Sequence, residues 1–212
     1  MNIIGFDFSI NKPAACLFKD NEYSFWFWPH KISKETKEIF EKAGVNIILR
    51  NDEKYKEKNS SEKMRFEVQN AIYLSDIIST MMFNEEWRDT YVSFEGLSYG
   101  SAGDAGIQLG GYKYILMFVL AEKSVLFERM FTYAPITIKK TANCSKKGMG
   151  KQDMIKAFIN TGPDCKFKNF LKENEQLFIK KRGKNYIEGL DDLIDSYYAL
   201  KTLEIKENLT NI

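Results

Sequence analysis

Histidine is almost missing from this chain: His30 is the only one. That argues against His-ligated zinc and against Ser-His or Cys-His nucleophilic catalysis. Cysteine is sparse too. Cys16, Cys144 and Cys165 are odd in number and scattered, the usage of a reducing compartment with free thiols. No apolar run approaches the roughly 20 residues of a membrane span, so no membrane partner is expected. No basic region leads into a cleavable apolar segment at the N-terminus, so no secretion signal is expected either. These absences together point to a cytoplasmic protein. Internal repeats and linkers are also lacking, and 212 residues suffice for one sizeable core. A single domain over residues 1–212 is the expectation.

Net charge is nearly absent at +2, but it is unevenly spread. Residues 139–184 hold 13 Lys/Arg against 4 Asp/Glu, leaving the remainder at −7. A basic block on an otherwise acidic chain suggests contact with a polyanion such as DNA, with Lys139, Lys146, Lys147, Lys180, Lys181 and Arg182 as candidate contacts. A solvated loop would look the same by charge alone.

The first half begins with strands: 2–9, then 14–19 and 23–28 as a hairpin with Lys19-Asp20-Asn21-Glu22 as its turn. The run VNIILR at 45–50 is ambiguous, and 51–60 reads as a polar loop. Ser60 or Ser61 could cap a helix over about 62–82, with Phe66, Ile72, Tyr73, Ile77 and Met81 near helical spacing. TYVSFEG at 90–96 alternates like a strand. A Gly- and Ser-rich loop leads into a helix over about 104–122, where Gly103, Gly106 and Gly110 share one face. Each helical glycine costs about 1 kcal/mol relative to alanine, so the stripe implies close approach to a sheet, another helix or a second copy. Residues 124–138 read as one or two strands broken at Pro135. A helix follows at about 150–160. Residues 163–188 form a basic insertion without clear period, and a last helix covers about 190–206. Strands interleaved with helices favour a mixed α/β sheet flanked by helices.

Within this frame four acids stand out. Asp7 sits inside an apolar strand, where an ionised carboxylate needs a partner or a metal. Glu95 ends a later strand. Asp192 and Asp195 lie at i and i+3 on the last helix and share one face. Two carboxylates that close repel unless something positive lies between them. Hard divalent ions such as Mg²⁺ or Mn²⁺ suit such oxygen ligands. Two ions about 3.5–4 Å apart can activate water and stabilise the leaving oxygen of a phosphodiester. Each acid also has an ordinary reading. Asp7 could be capped by backbone at a strand end, Glu95 could be solvated, and Asp191 and Asp192 could simply favour a helix N-terminus. Asp195 is harder to dismiss, because Leu193, Ile194, Tyr197, Tyr198 and Leu200 make its helix largely apolar.

Four stretches, taken in order, resemble the RuvC family of Holliday-junction resolvases, particularly its phage members. They are NIIGFDFS around Asp7, VSFEGLSYG around Glu95, APITIKK…GKQDM over 134–154, and DDLIDSYYAL. The resemblance implies an RNase H-like fold and a homodimer. It also implies Mg²⁺-dependent paired nicks in four-way or branched DNA. It would make Asp7, Glu95, Asp192 and Asp195 ligands of two Mg²⁺ or Mn²⁺ ions. It would place Lys140 or Lys139, with Lys151, near the scissile phosphate, and Tyr99 against bases opened at the junction centre. The loop TANCSKKGMG is rearranged around its glycines, which leaves the lysine register open by one. The 30–60 and 163–188 regions differ from the shorter cellular enzymes.

Other classes remain in view. A nuclease or transposase of the same fold could act on other branched DNA or on RNA–DNA hybrid. An actin-like ATPase also carries an aspartate on its first strand, but it needs a second glycine-rich phosphate loop that this chain lacks. A non-catalytic DNA-binding module would keep the basic block and have no use for four acids.

Overall fold

Alternation along two neighbouring strands organises the molecule. The computed structural model describes residues 1–50, 60–82, 87–96, 103–180 and 185–209. Strand β1 spans Asn2–Asp7, and successive side chains of a strand point to opposite faces. Ile4 and Phe6 therefore enter one core, while Ile3 enters a second core across the sheet. Strands β2 (Ala14–Lys19) and β3 (Glu22–Phe27) follow as an antiparallel hairpin. Its turn lies at Lys19-Asp20-Asn21-Glu22, as expected. Asp20 and Asn21 both take positive φ, 53° and 64°, a left-handed pair that matches the twist of a two-residue hairpin. Two edge strands flank the sheet: β4 (Val45–Ile47), parallel to β3, and β6 (Met130–Tyr133), parallel to β5 (Thr90–Glu95). The strand order is β4-β3-β2-β1-β5-β6, with β1 parallel to β5 and antiparallel to β2. This is the mixed α/β sheet that the order of strands and helices leads one to expect.

Among the described residues seven helices cover the two faces. On one side lie α2 (Ser60–Met82) and α3 (Asp104–Glu122), packing Ala71, Leu74, Ile78, Leu116 and Leu120 beneath Phe6 and Phe94. The other side is covered by α1 (Lys34–Lys42), α4 (Pro135–Thr141), α5 (Lys151–Thr161), α6 (Lys166–Glu173) and α7 (Leu190–Lys206). The last of these rests directly on β1. A Cβ at Gly5 would lie 2.1 Å from the Ser196 carbonyl oxygen and 2.3 Å from the Leu200 nitrogen, so only glycine allows the helix this close. Gly189 caps α7 with φ 90°, and any side chain there would strike the Phe27 ring.

Four local expectations change. In α2 the buried face carries Ala71, Leu74, Ser75, Ile78, Ser79 and Met82, whereas Ile72, Tyr73 and Met81 are exposed. The exposed large residues misled because half of the buried face consists of small ones, Ala71, Ser75 and Ser79. The residues after β6 form no second strand. Pro135 opens helix α4 instead, since its fixed φ and missing N–H suit the first helical turn. Residues 166–173, without visible period in the sequence, form α6, where Phe167 and Leu171 reach the core and Lys166 and Lys172 remain outside. Helix α1, not anticipated, starts at Ser33, whose side chain accepts a hydrogen bond of 3.1 Å from the Thr36 N–H, a standard N-cap. Among the described residues no helix is long and apolar enough to cross a membrane.

Candidate active site

Period-two alternation places the first two acids side by side. Ile3, Gly5 and Asp7 share the α7 face of β1, and Tyr91, Ser93 and Glu95 share the same face of β5. Gly5 pairs with Ser93 and Phe6 with Phe94 in parallel register, so Asp7 and Glu95 end adjacent strands together. The close seat of α7 on Gly5 brings in the other two. Ser196 and Leu200 touch Gly5. One turn towards its N-terminus, α7 presents Asp192 and Asp195 beside Asp7.

The electrostatics place the four carboxyls within reach of one another's charge. Burial pushes the Asp7 carboxyl well above the usual carboxylate range, and Asp192, Asp195 and Glu95 push it further. Asp7 acts in turn on the carboxyls of Glu95 and Asp192. Burial raises Asp195 to about 8, with Glu95 adding to the effect and Lys151 opposing it. Burial, with Asp191 beside it, raises Asp192 to about 6. Glu95 is also raised by burial, but Lys113, Lys139 and Lys151 all draw it back.

The cations around these acids sort themselves by position. Lys151, at the start of α5, forms an ion pair with Asp191. Partial desolvation works against its charge. The Asp191 hydrogen bond and the nearby Asp192 and Asp195 nevertheless hold the ammonium above the usual lysine range. Asp191 thus turns to Lys151, leaving Asp192 and Asp195 to face Asp7. Of the two candidate lysines on α4, Lys139 is half-buried and acts on Glu95, whereas Lys140 is exposed. Lys146 and Lys147, on the loop before α5, are exposed, and so is Lys180. Tyr99, Lys181 and Arg182 lie outside the described residues.

Two basic residues near the acids were not anticipated. Lys12, between β1 and β2, donates a 2.8 Å hydrogen bond to Glu188 and lowers the pKa of Asp192. Nothing in its local sequence marks it. Lys113 on α3 is only 6% exposed and donates to the backbone carbonyl of Glu95. Its signal was present: it is the one charge between the terminal Asp104 and Glu122 of an apolar helix and continues the row of Gly106 and Gly110, both buried. A cleft lined by Ser9, Asn11, Lys12, Lys151, Glu188 and Asp192 opens from the acids to solvent.

Among the described residues no three His, Cys, Asp or Glu side chains are grouped as a ready-made metal site. The fit to a metal is therefore chemical. Four carboxyls supply hard oxygen donors, and their shared burial and repulsion would be relieved by a divalent cation. An octahedral, oxygen-preferring ion such as Mg²⁺ or Mn²⁺ matches that set.

No protein-family model matches the chain, and no curated protein matches it. Solved structures do resemble it. Thermus thermophilus RuvC is 10% identical, covering 98% of this chain and 97% of that one, at a TM-score of 0.49. RuvC of the same organism in complex with a Holliday junction substrate is 11% identical, covering 98% and 96%, at 0.48. The yeast mitochondrial Holliday junction resolvase Ydc2 is 12% identical, covering 98% of this chain and 82% of that one, at 0.48. Likeness at this level carries no argument about chemistry.

Proposed function

We propose that the protein is a metal-dependent endonuclease that resolves four-way DNA junctions by paired phosphodiester nicks. The observation that carries this reading is the meeting of Asp7, Glu95, Asp192 and Asp195, from three separate elements, with lysines around them. Those four carboxylates would hold Mg²⁺ or Mn²⁺, two ions per site. When bound, such ions activate water and stabilise the leaving oxygen of a phosphodiester.

The chain's own residues do the rest. Lys151 and Lys139 put positive charge beside the acids, where the charge of a cleaved phosphate would develop. Asp191 orients Lys151. Lys12, opposite Lys151 in the same cleft, faces the path a strand would take. Exposed Lys140, Lys146, Lys147 and Lys180 serve as phosphate contacts that position DNA without reading its sequence.

Two symmetric nicks need two active sites, so the working form in this reading is a homodimer. Helix α3 offers the surface: Ile107, Tyr114 and Phe118 are 77%, 70% and 61% exposed. They fall at i, i+7 and i+11, one stripe of the helix. Beside it, Met64, Val68 and Ile72 of α2 are also exposed.

The test uses labelled four-way DNA, linear duplex and RNA–DNA hybrid, each with and without Mg²⁺. Paired nicks in the four-way DNA alone, and only with Mg²⁺, are expected. Preferential cleavage of the hybrid would assign another substrate to the same chemistry. Cleavage of nothing under any condition overturns the nuclease reading.

A further inference from the structure

Asp192 lines the open cleft, and a buried lysine reaches the acids from the opposite face of the sheet. Lys113 rises from α3 on the face of the sheet opposite α7, in a row with Gly106 and Gly110, both buried. Its ammonium passes the end of β5 and donates to the Glu95 carbonyl. At 6% exposure it is a buried cation, a placement that needs compensation. Burial lowers its pKa while Glu95 and Asp7 oppose that shift, so its charge is felt by two of the four acids. The next residue, Gly96, is fixed by its N–H donating to the Tyr133 carbonyl at 2.7 Å. The strand end that carries Glu95 is thus tied on one side by β6 and on the other by Lys113.

We propose that Lys113 is a positioning residue: it anchors the end of β5 from behind so that the Glu95 carboxylate is aimed into the acid cluster and remains available to a divalent cation. This rests on the metal-dependent reading of the same site. Lys113 touches the backbone of Glu95 and reaches no open surface, so it does not meet substrate. Its effect passes through the donor it orients. Groups that orient metal ligands typically change metal affinity or activity about 10–100-fold when removed.

Mn²⁺ titration of the purified protein by calorimetry tests the idea without any cleavage assay. Wild type should bind Mn²⁺, and Asp7→Asn should abolish that binding. Lys113→Met should weaken it about 10–100-fold with an unchanged far-ultraviolet circular dichroism spectrum. Lys113→Arg, which keeps a cationic donor, should restore most of it. If Lys113→Met does not fold, Lys113→Gln replaces it, with the same weakening expected. Unchanged affinity in the neutral variant overturns the positioning role. Tighter binding overturns it as well, since Lys113 would then be a charge competing with the metal. If wild type itself binds no Mn²⁺, the failure belongs to the metal-dependent reading and not to Lys113 alone.

Discussion

The same two strands behave differently on their two faces. Towards α2 and α3, β1 and β5 present Ile4, Phe6, Val92 and Phe94, all fully buried, with Phe6 stacked on Phe94 at 5.3 Å between centroids. Towards α7 they present Gly5 and Asp7, Ser93 and Glu95. On the first face each residue buries apolar area, worth about 1.5–3 kcal/mol per large side chain. On the second, packing is given up residue by residue as the strands near their C-terminal ends. A small residue lets a helix backbone in, and then the acids follow. One face stabilises the sheet, and the other uses that rigidity to hold mutually repelling groups in place.

Substitutions on the two faces should therefore separate stability from activity. Asp7→Asn should abolish metal-dependent cleavage, and it should stabilise the protein in chelator because a buried, repelled carboxylate is gone. Relief of about 1 kcal/mol would raise Tm by about 2–4 °C in a chain of this size. A lower Tm in calorimetry would mean that the four acids do not repel one another. Phe94→Ala should do the reverse. It should remove about 3–5 kcal/mol of stability, read by urea unfolding, while the protein that remains folded cleaves at the wild-type rate.

The acid face also predicts a pH dependence. Asp192 and Asp195 are raised by burial to about 6 and about 8, and Asp7 is raised as well. In the unfolded chain these groups release their protons near about pH 4. Between that pH and about 8 the folded protein therefore holds protons that the unfolded one has lost, so its stability falls as pH rises. In chelator, Tm should decline from about pH 5 to about pH 9, and Mg²⁺ should recover more of the loss at the alkaline end. A flat profile would place the acids in solvent. The smallest effect concerns the two lysines of α4. Lys139→Ala should slow single-turnover cleavage more than Lys140→Ala does, with equal rates assigning both to DNA positioning only.

Much of the sheet could be read from the chain because its signals are local. Alternation marked β1 and β5, and Asp20-Asn21 marked the hairpin turn. The acids could be named from i, i+3 spacing and from a charge inside an apolar strand. What brings them together was not local. It depends on the α7 backbone resting on Gly5, and a glycine inside a strand does not say what approaches it. Lys139 and Lys140 could not be separated in sequence, because that distinction needs the helical phase set by Pro135. Helix α6 was hidden because lysines are interspersed with its apolar residues, Lys166, Lys168 and Lys172 around Phe167 and Leu171. The α2 face was misread because Ala71, Ser75 and Ser79 carry little hydrophobic signal yet lie on its buried side.

The seat of α7 on Gly5 also sets when the site can exist. Asp7 and Glu95 belong to strands made early in synthesis, while Asp192 and Asp195 arrive with a helix made long after. Until that helix has left the ribosome and docked, the nascent chain carries only half of its acids. If the protein is the nuclease proposed above, a nascent chain that still lacks α7 is inert, and the docking of that helix acts as the safety catch.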